Sequence, residues 1–328
     1  MLLSDGKINE TVLKRSVLKQ IDNKRNVLWG PGPGRDSAII NTGDGELLLS
    51  SIAPVTYTDS KGAYTAINKA VNNVAALGGR TRAVMVSFFL PEGFTEEELK
   101  SYMKELSLVA GELDAEIAGG HTEVTGVVNQ PVVTVCAIGS IERDRAESFK
   151  YAKAGDDLVI SKWIGLEGTS LIAGRKEDKL KQIFAASFVD EAKDFDQYIS
   201  ITKEADIAVA AGVHAMHDLS VGGVFAGLWE IAERSNLGLT ADLLKIPLKQ
   251  HTVEICEQFD LNPYELMSGG SLLMAAADGN ALTAALKTAG INAAVIGKFT
   301  DSNDRVLINK DEKRFIDISK SDEIYKLI

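Results

Sequence analysis

Four glycine-bearing stretches carry the residues whose types and spacing suit chemistry. The first is LWGPGPGRDSAII, residues 28–40, where Gly30, Gly32 and Gly34 alternate with two prolines ahead of Arg35 and Asp36. Closely spaced glycines let backbone amides approach an anion. Pro31 and Pro33 remove two of those donors and stiffen the loop. The stretch lacks the Lys-Ser/Thr end of a P-loop and the glycine spacing of a dinucleotide fingerprint. Asp36 could ligate a magnesium ion carried by a nucleotide. Taken alone, the loop reads as a rigid turn with a capping aspartate.

The second stretch is AGGHTEVTG, residues 118–126. His121 and Glu123 are two apart and share a face of an extended strand. That spacing suits a metal pair or an acid–base pair, while the local alternative is a strand end with a bulge at Gly119 and Gly120. The third stretch is HAMHDLSVGGVFAGLWEIAER, residues 214–234. Asp218 or Ser220 can cap a helix there. Gly222 and Gly223 would offer amides at its positive end, where phosphate binds readily. The plain alternative is a capped helix with glycines for close packing. His214 and His217 could share a metal if helical, but no third ligand has matching spacing, so zinc is discounted. The fourth stretch, MSGGSLLMAAA at 267–277, is a glycine turn before a buried strand.

Strands and helices must position these residues. Ile8 to Ile21 has helical spacing, Glu46 to Ile52 is an apolar run of strand length, and Gly62 to Leu77 reads as a helix. Val84 to Leu90 reads as a buried strand. Thr95 to Glu98 is a capping box that opens a helix carrying Leu99, Leu106, Val109 and Leu113. Val132 to Ile141 is a further strand, so residues 1–142 alternate strand and helix. Residues 143–155 are charged and then turn-like, which suits a boundary. Asp157 to Ser161 resumes the strands, with helical regions around 168–184 and 189–212. A helix spans Val224 to Arg234 and another Val253 to Phe259. Strands at 271–277, 293–299 and 306–308 enclose a helix at 281–289. This mixture suits α+β layers, with helices on one face of a sheet, better than a strict βαβ series.

The 328 residues allow two domains. Hydrophobic residues at 45% and charged residues at 25% are a globular balance. With 46 acidic against 35 basic residues the net charge is -11, and no basic stripe exists to neutralise a nucleic acid, so that partner is not expected. Cys136 and Cys256 lie in apolar contexts and read as buried reduced thiols of a cytoplasmic protein. No apolar run has the ~18 residues of a membrane helix, and MLLSDGKINE is too polar for a signal peptide.

In their order, these stretches resemble the superfamily of aminoimidazole ribonucleotide (AIR) synthetase, the hydrogenase-maturation protein HypE, thiamine monophosphate kinase and selenophosphate synthetase. The resemblance spans nearly the whole chain. It rests on GRDSAII, on TDSKGAYTAINKAVNNVAALGG at 58–79, on FFLPEG at 88–93 and on GGHTEVT at 119–125. It continues in GLEGTSLIA at 165–173, MHDLSVGGVFAGLWEIAE at 216–233 and LMSGGSLLMAA at 266–276. GGHTE, MHD with its Gly pair and LWE, and SGG are most similar to the AIR-synthase-related, HypE-like branch.

The resemblance implies a PurM-like α+β fold of two α/β domains. Residues 1–150 would form the ATP-binding and dimerisation domain and residues 151–328 an α/β sandwich, with N-terminal sheets pairing across a homodimer. It implies ATP, magnesium held by acidic residues, and use of the γ-phosphate to activate a carboxamide oxygen or to phosphorylate a small substrate. The family's GDDAA-like element is GRDSA here, which keeps Asp36 but puts Arg35 beside it, where it could neutralise a phosphate directly. Asn72 and Asn73 stand where the family has Asn-Asp, Ala53 where an Asp is expected, and His121 in place of the kinases' Asp. Asp59 remains. HypE proper ends in a reactive cysteine, whereas this sequence ends DEIYKLI after a last cysteine at Cys256. Carbamoyl transfer to its own tail is therefore not expected.

The expected site follows by position. Asp36 and Asp59 hold metal, and Arg35, Asn72, Asn73, Gly119, Gly120, His121 and Thr122 border the nucleotide. Gly222, Gly223, Ser268, Gly269 and Gly270 complete the cofactor set, and Glu123, His217 and Asp218 are the acid–base candidates. Expected partners are a small-molecule substrate, a second copy of the chain and a maturation-pathway protein. The rival expectation is a non-catalytic paralogue that acts as a binding or assembly partner, since magnesium prefers anionic oxygens and two carboxylates are replaced.

Overall fold

In the N-terminal half, apolar residues at every second position build strands with one buried face. A computed structural model describes residues 7–21, 25–43, 45–56, 62–317 and 321–327. The helical spacing after Ile8 forms α1 (Glu10–Val12), which runs on in π- and 3₁₀-type turns to Gln20. The strands are β1 (Val27–Trp29), β2 (Ala38–Ile40), β3 (Leu47–Val55), β4 (Arg80–Leu90), β5 (Glu116–Val124) and β6 (Val132–Ile141). They form one sheet in the order β1-β2-β3-β6-β4-β5.

Helices α2 (Gly62–Ala75) and α3 (Glu96–Glu112) cover one face of that sheet. Small residues let α2 lie close to the strands, with Ala63, Ala66, Ala70 and Val74 fully buried. The capping box forms as expected: Thr95 Oγ1 accepts from Glu98 N, and Glu98 accepts from Thr95 N at 2.7 Å. The opposite face carries Leu48, Ile52, Met85, Phe89 and Cys136, with Ile52 67% and Met85 46% exposed. β4 and β5 run parallel, and β5 is the edge strand.

The C-terminal half contains β7 (Asp157–Ser161), α4 (Leu166–Arg175), α5 (Glu177–Lys181), α6 (Ala186–Lys193), α7 (Thr202–Ala210), β8 (Ala215–Asp218) and α8 (Gly223–Ser235). β9 (Gly238–Asp242), α9 (Gln250–Gln258), β10 (Leu272–Ala276), α10 (Gly279–Thr288), β11 (Ala293–Thr300), β12 (Arg305–Asn309) and β13 (Glu312–Phe315) follow. The sheet order is β13-β12-β9-β11-β7-β10-β8. Val224, Leu228 and Ile231 of α8 pack on Leu158, Ile160, Leu273 and Ala275 in the main core. The chain forms two compact units: Arg25–Gly30 with Asp36–Ala146, and Met1–Lys24 and Pro31–Arg35 with Glu147–Ile328. No helix among the described residues is long and apolar enough to cross a membrane.

One local helical expectation differs from the structure. The helical region at 189–212 is interrupted by a 3₁₀ turn, Asp194–Tyr198, and an extended stretch before α7. The carbonyls of Tyr198 and Ser200, which a continuous helix would use, accept instead from the buried Lys162 Nζ at 2.7 and 2.6 Å. The helix on which a metal shared by His214 and His217 is conditional does not form: Ala215–Asp218 is strand β8, which pairs with β10.

Gly120 is a steric requirement of the β4–β5 pairing. A Cβ there would lie 1.8 Å from the Val86 carbonyl oxygen. Gly120→Ala is expected to cost about 1–3 kcal/mol in urea unfolding. Gly111→Ala, in α3 with open space around it, is expected to add about 0.5–1 kcal/mol. Equal effects of the two changes would contradict the packing described.

Candidate functional site

Strand β5 presents the second stretch to solvent. Its register against β4 shifts between Val84 and Met85, leaving Ala118 as the extra residue of a bulge. Beyond the bulge His121 pairs with Ser87 and Glu123 with Phe89. His121 and Glu123 therefore share one face, as the alternation implies, and His121 Nε2 lies 2.9 Å from Glu123 Oε2. Gly119, Gly120, His121, Thr122 and Glu123 are all exposed. The two side chains form an exposed imidazole–carboxylate pair.

The glycine–proline loop is tied down from below. Gly34 has φ +63° and rests on α8, where a Cβ would meet the Glu230 carbonyl oxygen at 2.5 Å. Arg234 donates to the Gly34 carbonyl at 2.7 Å and to the Met216 carbonyl at 2.8 Å. The Arg35 side chain folds over Gly32, so Gly32 has no room for a side chain. Arg35 is exposed, Asp36 half-buried. On α2, Asn72 is fully buried and Asn73 half-buried.

The structure brings the third and fourth stretches together, but as packing. Gly222, Gly223, Ser268, Gly269 and Gly270 are all buried. Gly222 takes the N-cap position with φ +91°, and no side chain caps α8, so neither Asp218 nor Ser220 has the expected capping role. A Cβ on Gly223 would lie 2.5 Å from the Tyr264 carbonyl oxygen. Ser268 N donates to Ser220 O at 3.1 Å, and Ser268 Oγ accepts from Gly165 N at 2.8 Å. Gly269 N donates to the buried Glu167 at 3.2 Å. The Gly222 amide, expected to meet a phosphate, donates to Asp322. The same carboxylate accepts from Met267 N at 3.2 Å and Ile324 N at 2.9 Å.

His214, just before β8, and His217 within it are separated by the pleat. His214 pairs with Asp156 at 2.9 Å. His217, three residues on, faces the other way into the contact with α8, where it meets Glu230 at 3.0 Å. A shared metal is therefore ruled out for this pair. His217 is 3% and Asp218 4% exposed, which keeps both away from a ligand in solvent. Glu230 also pairs with Lys7 at 2.9 Å. Burial would push the Glu230 carboxyl up, but Lys7 and His217 outweigh it and hold it down at about 2. Burial pushes the Cys256 thiol up to about 12, which makes it an inert core group.

No cluster of three or more metal-ligating side chains exists among the described residues. Asp59 lies outside the described residues, and Ala53 is a buried residue of β3. Of the two expected magnesium carboxylates, Asp36 is described, and it is half-buried. Sequence reasoning missed Glu230, Glu167 and Asp322, whose partners His217, Gly269 and Gly222 lie 13, 102 and 100 positions away. Glu167 lies in the GLEG stretch and Glu230 in the LWE element that carry the family resemblance, without either being read as a site residue.

Comparison with known proteins agrees with this architecture. Residues 34–141 match the family described as AIR synthase related protein, N-terminal domain, and residues 153–309 its C-terminal domain. A protein of Methanocaldococcus jannaschii named for hydrogenase expression and formation is 26% identical, covering 97% of this chain and 96% of that one. Carbamoyl dehydratase HypE of Bradyrhizobium diazoefficiens is 25% identical over 81% of this chain and 78% of its own. Among solved structures, a HypE in complex with ATP superposes with TM-score 0.72 at 21% identity, covering 96% of both chains. A HypE–HypF complex gives TM-score 0.73 at 21% identity, covering 93% of this chain and 99% of that one. At those identities the structural likeness is one of fold.

Asp322 offers a check on the packed start of α8. Burial pushes its carboxyl up to about 6, against the lowering effect of the three amides. A carboxyl whose pKa rises on folding contributes stability that is complete below its unfolded value, 3.8, and lost as pH rises through about 6. Asp322→Asn abolishes that titration. In urea unfolding, the wild type should gain on this variant by up to about 3 kcal/mol from about pH 7 to about pH 4. A constant difference over that range would contradict the buried placement.

Proposed function

Because this chain belongs to the AIR synthase related family, in its HypE-like branch, we propose that it binds magnesium-ATP and uses it to activate a small carboxamide, amine or phosphate-bearing substrate. The observation that carries this reading is β5: a glycine pair with open backbone beside an exposed His121–Glu123 pair. Backbone freed of side chains lets phosphate approach. Arg35, Asp36, Asn73, Gly119, Gly120, His121 and Thr122 are the proposed nucleotide contacts. Magnesium enters with ATP as part of the substrate, with Asp36 and Asp59 as the proposed carboxylates to meet it.

The named relatives suggest the chemistry. HypE is called a carbamoyl dehydratase, and one HypE was solved with ATP. For a carboxamide, the amide oxygen attacks the γ-phosphorus, the bond to the β-phosphate breaks, and ADP leaves. Loss of the resulting phosphate with the C–O bond gives a nitrile, and the nitrogen gives up one proton in each step. The proposed base is Glu123, because it is exposed, while His217 and Asp218 are buried. The protein otherwise supplies position and charge stabilisation.

A homodimer is part of the proposal. The apolar face around Ile52 and Met85 has no cover within the N-terminal unit, and a second sheet would bury it. The HypE–HypF complex makes a maturation-pathway protein the proposed second partner, in a cytoplasmic setting. One observation favours a second reading, binding without turnover: Ala53 and Asn72, at expected metal-ligand positions, are buried.

Calorimetric titration with magnesium-ATP is expected to give one site per chain, and Glu123→Gln should keep that binding while lowering carboxamide-dependent ADP release by about 100-fold or more. No heat and no thermal shift at millimolar nucleotide would end the ATP reading. Binding without ADP release would select the second reading. Light scattering should give twice the chain's mass for the wild type and the chain's mass for Ile52→Asp. A monomeric wild type would overturn the dimer.

A further inference from the structure

Three aromatic rings of the C-terminal unit surround one ammonium. Lys249 Nζ lies 4.1 Å from the Trp163 ring centroid, 5.2 Å from Phe195 and 5.7 Å from Tyr198. The Trp163 and Tyr198 rings stand edge to face, with centroids 5.7 Å apart. Behind them Phe195 meets His251 at 5.2 Å, and His251 stacks on Phe188 at 4.1 Å. Phe195 is buried, and Trp163, Tyr198 and Lys249 are half-buried, so the cage has an open side.

The walls are held independently of Lys249. The Trp163 carbonyl accepts from Ser271 Oγ at 2.6 Å. The Tyr198 carbonyl accepts from Lys162 Nζ, itself paired with the buried Glu204. Tyr198 also abuts Gly270, where a Cβ would lie 2.6 Å from its carbonyl oxygen. The rings are thus preorganised by backbone contacts on their far side.

Lys249 is poorly placed as a helix cap. It holds the N-cap position of α9, and its side chain makes no capping bond. A cation there opposes the helix dipole, and Asp, Asn or Ser would cap the helix better. No carboxylate pairs with Lys249 among the described residues. Only π faces hold its ammonium. An alkylammonium is strongly hydrated and its stem is flexible, so it can move to solvent at small cost.

We propose that Trp163, Phe195 and Tyr198 form a binding site for a quaternary ammonium or similarly soft organic cation on a small molecule, with Lys249 as a displaceable occupant. Such cations lose less hydration than an ammonium and bind aromatic faces more strongly. The site is built wholly from the C-terminal unit and needs no nucleotide, so its test is independent of the ATP reading.

The test is titration of choline against the whole protein without nucleotide, following the ring-current shift and broadening of the choline methyl protons by NMR. The uncharged tert-butyl isostere of choline is the control. Wild type should bind choline weakly, and Lys249→Gln should bind it about tenfold more tightly. Tyr198→Leu should abolish the shift in a protein whose circular dichroism is unchanged, and Trp163→Leu repeats the test if that variant fails to fold. Unchanged affinity in Lys249→Gln, or equal binding of the isostere, would overturn the proposal.

Discussion

The buried guanidinium of Arg234 is the contact on which the arrangement of the C-terminal unit depends. It leaves α8 and donates to two carbonyls, one from β8 at Met216 and one from the glycine–proline loop at Gly34. A planar fork can serve two acceptors at once, and a lysine cannot reproduce that geometry. Without it, two buried carbonyls would lose their donors, at about 1–3 kcal/mol each. The same helix carries Glu230, which meets His217 and Lys7, and Glu233, which meets Lys14 and Arg305. Helix α8 therefore fixes β8, the N-terminal segment and residues 31–35 in one polar frame around an apolar core.

Two glycine pairs with the same sequence do opposite work. In β5, Gly119 and Gly120 leave backbone at an exposed sheet edge. At the start of α8, Gly223 lets the chain touch Tyr264 and Leu266, and the Gly222 amide that would attract a phosphate is taken by Asp322. The difference lies in exposure: the β5 pair sits at a solvent-facing edge, although Gly120 also lacks room for a side chain beside the Val86 carbonyl, whereas the α8 pair is buried. The SGG turn belongs with the second kind, since Glu167 and Tyr198 fill its surroundings.

What could be read from the sequence was what depends on neighbours along the chain. The alternation of β5 put His121 and Glu123 on one face, the Thr95–Glu98 box marked the start of α3, and Val132–Ile141 is strand β6 to its ends. The family resemblance extended this to the PurM-like two-unit fold, now matched in both halves. Four residues of HAMHD carry too little periodicity to separate strand from helix. Contacts across long separations were not legible either. Asp322 meets Gly222 at a separation of 100 residues, and Lys162 diverts carbonyls 36 and 38 residues away. Nothing local in SDEIYKLI or SKWIG announces such partners.

The account turns on open glycine backbone, and not glycine as such, being where a polyanion binds. Hydrogen–deuterium exchange with and without magnesium-ATP tests this most directly. The account predicts slowed exchange across residues 119–123, with 222–223 and 268–270 unchanged. Protection at 222–223 or 268–270 while β5 stays unaffected would contradict it.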